Sequence, residues 1–140
     1  DLLFKAGLSV TPEEIAELIR LVKTWKSCNN VPLSSFYLEM RTAQYALNNK
    51  PIIYDWDLRD FFKSLANSGL REMNDPTNYG RRITTGTNSL AESISAKYAV
   101  EEAARLARLA REAAEDSDHS TAIYYLRTLF RCECYGVTAW

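Results

Sequence analysis

Glycine and proline are scarce, five and four residues in a chain of 140. A turn-rich β protein or a flexible linker uses more of both, so the composition favours helices. Cysteine occurs three times, at Cys28, Cys132 and Cys134. An odd number without the spacing of a secreted disulfide framework points to a reducing, cytoplasmic compartment. No apolar run approaches the length of a membrane span, and no secretory leader pattern is visible, so no membrane partner is expected. Charge of one sign is also lacking: the formal net charge is -1. No global field attracts nucleic acid, no specific DNA binding is expected, and any basic site must be local. No glycine-rich loop is present to cradle phosphates.

The chain does have apolar residues in helical rhythm. It is 46% hydrophobic and 25% charged, enough to fold as one domain over residues 1–140 with a single core. Residues 1–10 read as a lead-in segment and 131–140 as a tail. Thr11-Pro12-Glu13-Glu14 is a helix start, with Thr11 as cap, Pro12 in the first position and Glu14 closing a capping box. Ile15, Leu18, Ile19, Val22 and Trp25 follow at steps of three and four, one apolar stripe. Asn29, Asn30 and Pro32 end that helix.

Ser34 or Ser35 caps a second helix with an apolar body of Leu38, Met40, Tyr45, Ala46 and Leu47. Asp55 caps a third, with Leu58, Phe61, Phe62 and Leu65 inward and a stop near Gly69. Residues 71–88 read as a long loop, and such loops are often functional or pinned by partners. Residues 89–115 contain no Gly or Pro and predict one long helix, whose repeated alanines allow close approach of neighbours. A final helix places Ala122, Ile123, Leu126, Leu129 and Phe130 on one face. No strand is expected. The fold class is all-α, about five helices in a bundle-like array.

Several groups carry chemistry worth weighing. Lys23 and Lys26 stand one turn apart, beside the apolar stripe rather than on it, so both can reach solvent. Ser34, Ser35 and Phe36 sit at a helix start, where free N–H groups and the positive dipole end suit an anion. Together they form a possible grip on a nucleoside triphosphate, with Phe36 stacking on the base. The alternative is ordinary: solvated lysines, a routine serine cap and a core Phe. Asp55-Trp56-Asp57 has the spacing of a metal-binding carboxylate pair on a strand. It precedes a helical pattern, so caps and surface charge are the better reading. Cys132, Cys134 and His119 fall one ligand short of a zinc site. Free or structural thiols fit better, with His119 capping a helix or facing water. No Ser-His-Asp arrangement is supported. Arg81 and Arg82 suit a phosphate or a partner carboxylate. Arg105, Arg108 and Arg111 read as a solvated ridge balanced by Glu101, Glu102 and Glu112.

The stretch "LIRLVKTWKSCNNVPLSSFYLEM", residues 18–40, resembles the carboxy-terminal helical lobe of the oligoadenylate synthases. Their wider family includes cyclic GMP-AMP synthase and the bacterial CD-NTases of anti-phage defence. "DPTN" at 75–78 and "AEDSDHSTAIYYLRTLF" at 114–130 are similar to later parts of the same lobe. The likeness covers about residues 11–130 and is most specific in the first block. It implies that Lys23 reaches nucleotide phosphates, that Ser35 contacts base or ribose, and that Phe36 stacks on a base where the family usually has Tyr. "FRCECY" at 130–135 departs from the bacterial members, which usually place Gly after the Phe.

In that family the chemistry belongs to an amino-terminal α/β lobe holding Mg²⁺ on carboxylates. The chain begins at Asp1 without Met, directly on Leu2-Leu3-Phe4. The resemblance therefore implies a piece of a larger nucleotidyltransferase that lacks the catalytic lobe and is inactive alone. Its substrates would be ATP- or GTP-type nucleotides, and its nearest partner the catalytic lobe. The rival expectation is a helical interaction or oligomerisation module that uses exposed apolar surface and has no nucleotide role.

Overall fold

The computed structural model describes residues 12–48, 54–74 and 82–130. Within them the chain is all-α, as expected. Five helices run in order: α1 Pro12–Asn29, α2 Ser35–Asn48, α3 Tyr54–Asn67, α4 Leu90–Glu115 and α5 His119–Phe130. The lead-in, the tail, Thr11, Arg81 and "DPTN" lie outside the described residues.

The helix starts follow from short polar side chains. Ser34 caps α2: its Oγ accepts from the Tyr37 N–H at 3.3 Å, and its carbonyl accepts from the Leu38 N–H at 3.1 Å. Ser89 caps α4, where its Oγ accepts from the Glu92 N–H at 3.1 Å. Glu92 answers by accepting from the Asn88 N–H at 2.8 Å. Asp118 Oδ1 accepts from the Thr121 N–H at 3.3 Å at the start of α5, and hydrogen bonding from the Thr121 side chain first, then from its N–H, holds the Asp118 carboxyl below its usual pKa. The third helix differs from expectation. It begins at Tyr54, so Asp55 lies inside α3 rather than at its cap.

The helix ends use left-handed residues. Asn30 at φ 51° closes α1, and Ser117 at φ 59° turns the chain from α4 into α5. Gly69, at φ 68°, follows α3.

The long loop holds structure that the sequence did not reveal. Met73–Asn74 and Arg82–Ile83 form a two-residue antiparallel ribbon, with Met73 opposite Ile83. Its signal was unreadable because two residues show no alternation. Met73 and Ile83 are both buried, so the ribbon fastens the loop to the core.

The core is built from the expected stripes. Leu18, Val22 and Trp25 of α1 meet Leu58, Phe61, Phe62 and Leu65 of α3 in one apolar cluster. Trp25 and Phe62 pack edge to face at 4.8 Å, and Phe61 continues the contact at 5.4 Å from Phe62. Fully burying one such side chain contributes about 1.5–3 kcal/mol, so this aromatic group is a main anchor. The alanine stripe of α4 also packs as expected. Ala96, Ala103, Ala107 and Ala110 are buried, and α4 lies against both α3 and α5. On α5, Ala122, Leu129 and Phe130 are buried while Ile123 is exposed.

Candidate functional site

The α1–α2 corner gathers most of the candidate residues. Lys23 is exposed on α1, and its Nζ lies 2.8 Å from Oε1 of Glu39 on α2. Ser35 and Phe36 are the first two residues of α2. They precede Glu39 by four and three positions, so each neighbours Glu39 on that helix. The Lys23–Glu39 pair thus brings Lys23 to the surface that carries Ser35 and Phe36. Phe36 is 46% exposed, which removes the reading of Phe36 as a core residue.

Ser34 serves the backbone on both sides. Its N–H donates to the Thr85 carbonyl at 2.7 Å, which ties the start of α2 to the loop after the Arg82–Ile83 strand. With Tyr37 and Leu38 bonded back to Ser34, the N–H groups of Ser35 and Phe36 remain without helical partners. They supply the positive end of α2. Lys26 stands in the last turn of α1 and is half-buried. It has no ion-pair partner among the described residues.

Glu39 is the residue that sequence reading missed. Nothing local marks it: the contact to Lys23 spans sixteen positions. Such an exposed pair contributes about 0–1 kcal/mol, so an incoming phosphate can displace Glu39 at small cost.

The acidic pair on α3 does not form a metal site. Residues 55 and 57 belong to a helix, so the strand geometry that would pair two such carboxylates is absent. Asp57 is 5% exposed and accepts a hydrogen bond from the Tyr45 hydroxyl at 2.5 Å. Its reading as cap or surface charge is therefore corrected: it is a buried carboxylate held by a buried phenol. Burial, and then the Asp57 bond and charge, push the Tyr45 pKa well above the usual value. Burial likewise raises Tyr37, partly offset by Arg41.

The other groups are placed plainly. Arg82 pairs with Glu72 at 3.3 Å across the ribbon. Arg105, Arg108 and Arg111 pair with Glu102, Glu112 and Glu115 at 2.5, 3.1 and 3.5 Å. Arg111 departs from the solvated ridge, with a side chain only 14% exposed. His119 is exposed at the start of α5, and Cys28 is a half-buried free thiol. Cys132 and Cys134 lie outside the described residues. No three His, Cys, Asp or Glu side chains converge among the described residues, and no helix there is long and apolar enough to cross a membrane.

Compared with family models, curated proteins and solved structures, the chain matches none.

Proposed function

We propose that the chain is the helical, nucleotide-gripping lobe of a nucleotidyltransferase that joins nucleoside triphosphates into a cyclic or linear oligonucleotide messenger, serving bacterial anti-phage defence from the cytoplasm. What supports this reading is one juxtaposition. Lys23, Ser35 and Phe36 share an exposed surface at the positive end of α2, beside the Lys23–Glu39 pair. Lys23 would take phosphate oxygens, Ser35 a ribose or base edge, and Phe36 a base face. Lys26, one turn further along α1, would add positive charge, and Ser34 would hold the turn.

Mg²⁺ belongs to the catalytic lobe in this reading. Asp57 does not fit it, because it is buried against Tyr45. The chain's own role is to bind and orient.

Two tests bear on it. The parent gene should encode, upstream of Asp1, a Gly-Ser followed by two acidic residues on a strand; a gene without them removes the reading. Titrating ATP and GTP into the parent protein and its Lys23→Ala and Phe36→Ala variants should show weaker binding in both variants. Equal affinity in all three excludes the grip.

A second reading is favoured by a separate observation. Leu90, Ile94 and Tyr98 are 77%, 60% and 67% exposed, at steps of four along α4. This apolar stripe fits a module that pairs with a second copy of itself through antiparallel α4 helices, placing Leu90 against Tyr98. Sedimentation of the chain and of Ile94→Lys decides it. A dimer that Ile94→Lys dissociates supports this reading, and a monomer at all concentrations rejects it.

A further inference from the structure

A concave site lies between α2 and α3, away from the Lys23 surface. Arg41 follows Glu39 by two positions, which is about 200° around α2. The cavity holds about 130 Å³, with Arg41, Gln44, Ser64 and Ser68 as polar lining and the buried Phe61 and Leu65 as apolar wall.

Arg41 is the unusual member. Its Nε–H donates to the Tyr37 hydroxyl at 3.1 Å, its Nη2 to the Arg71 carbonyl at 2.7 Å, and its Nη1 to Gln44 Oε1 at 3.4 Å. All three acceptors are neutral. Arg20, Arg82, Arg105, Arg108 and Arg111 each pair with a carboxylate. Arg41 pairs with none among the described residues. A guanidinium carries five N–H donors. Three are used, which leaves one on each terminal nitrogen. The Tyr37 ring, 5.3 Å from the guanidinium carbon, holds the group in place.

The serines differ in what they can offer. Ser68 is occupied, donating to the Leu65 carbonyl at 2.7 Å and accepting from the Leu70 N–H at 3.2 Å. Ser64 is exposed, and its hydroxyl has no partner among the described residues. The nearest buried carboxylate, Asp57, sits behind Tyr45 and does not line the cavity.

Size narrows the ligand. Pockets that enclose drug-sized ligands hold about 300–1,000 Å³, so 130 Å³ suits a small anionic group rather than an entire enclosed nucleotide. Two donors from Arg41 and one from Ser64 match the three terminal oxygens of a phosphoryl group better than the two oxygens of a carboxylate. We infer that this pocket binds a phosphate group, gripped by Arg41 of α2 and Ser64 of α3. The group is either free inorganic phosphate or the phosphate of a monoester whose remainder stays in solvent.

Amide NMR of the ¹⁵N-labelled chain tests the site. Sodium phosphate is titrated against sodium chloride at matched ionic strength. Saturable shifts are expected at Arg41, Gln44, Ser64 and Ser68 with phosphate only. Ser64→Asp puts a carboxylate into an exposed position of the lining and should weaken phosphate binding at least tenfold while leaving the far-UV spectrum unchanged. Arg41→Lys keeps the charge, loses the fork, and should weaken it by a similar factor. Titration with adenosine monophosphate separates the sources. Shifts at the same four residues assign an esterified phosphate, and no shifts there assign the free anion. Phosphate shifts that rise linearly and match chloride, or that persist unchanged in Ser64→Asp, overturn the proposal.

Discussion

Asn29 donates its side-chain amide to the carbonyl of Leu129 at 3.0 Å, joining the end of α1 to the end of α5. The same nitrogen donates to the Trp25 carbonyl at 2.9 Å. One amide thus serves two helix ends, and the Leu129 carbonyl, in the last turn of α5, has no helical N–H of its own. Asn29→Ala should cost about 1–3 kcal/mol, the usual penalty for stranding a partly buried acceptor. Asn29→Asp should cost more, because a carboxylate would face two carbonyl oxygens. Urea unfolding measures both, as a lower midpoint with unchanged slope. A midpoint equal to that of the native chain would show that the bridge contributes nothing.

The buried Tyr45–Asp57 pair makes alkaline stability a diagnostic. The folded pKa of Tyr45 is raised, by burial first and by Asp57 second. Its contribution is therefore complete below the ordinary tyrosine value near 10 and is lost as pH rises above it. Unfolding free energy should fall between pH 9.5 and 11.5 by up to about 1.4 kcal/mol per pH unit for this group. Tyr37 is raised too and adds to the slope. Tyr45→Phe should flatten the slope and, at pH 7, destabilise the fold by about 1–3 kcal/mol by removing a donor from a buried carboxylate. Denaturant titrations at three pH values check it; identical slopes in the two proteins would refute the assignment.

Gly86 controls the start of α2 from outside it. Its φ is +82°, and a Cβ there would sit 2.9 Å from the Ser34 Cβ and 3.2 Å from the Ser34 nitrogen. Gly86→Ala combines a left-handed backbone with a clash against the backbone that caps α2. A loss of more than about 1 kcal/mol is expected, with amide shifts at Ser34, Ser35 and Phe36. Thermal unfolding and NMR report the two effects separately.

Charge at the α1–α2 corner separates binding from folding. Phe36→Ala should change stability by no more than about 1 kcal/mol, since nearly half of the ring is already in solvent. In the proposed grip the same change weakens nucleotide binding by about 1–3 kcal/mol. Glu39→Gln frees Lys23 from its carboxylate. It should strengthen ATP binding two- to fivefold, in keeping with an exposed pair of about 0.5–1 kcal/mol. Calorimetry on the parent protein reads all of these changes. Weaker ATP binding by Glu39→Gln would contradict the assigned role of Lys23.

The helices were legible because their signals are local. The stripe from Ile15 to Trp25, the serine before Phe36, the uninterrupted 89–115 segment and the turn at 115–118 all act within a few residues. A two-residue ribbon and an exposed Ile123 were not legible, since neither leaves a period to read. Asp57 was misread as a cap or surface charge because its burial depends on Tyr45, twelve positions away on another helix.

By itself the sequence determined the helical class, the serine cap of α2 and which side chains are large enough to anchor a core. Tertiary structure alone decided which polar groups meet. Lys23 finds Glu39 across sixteen positions, Tyr45 finds Asp57 across twelve, and Asn29 finds Leu129 across one hundred. Helical periodicity sets which face a side chain occupies. Only the packing of one face against another sets its partner, and the partner decides whether a charge is buried, paired or open to a ligand.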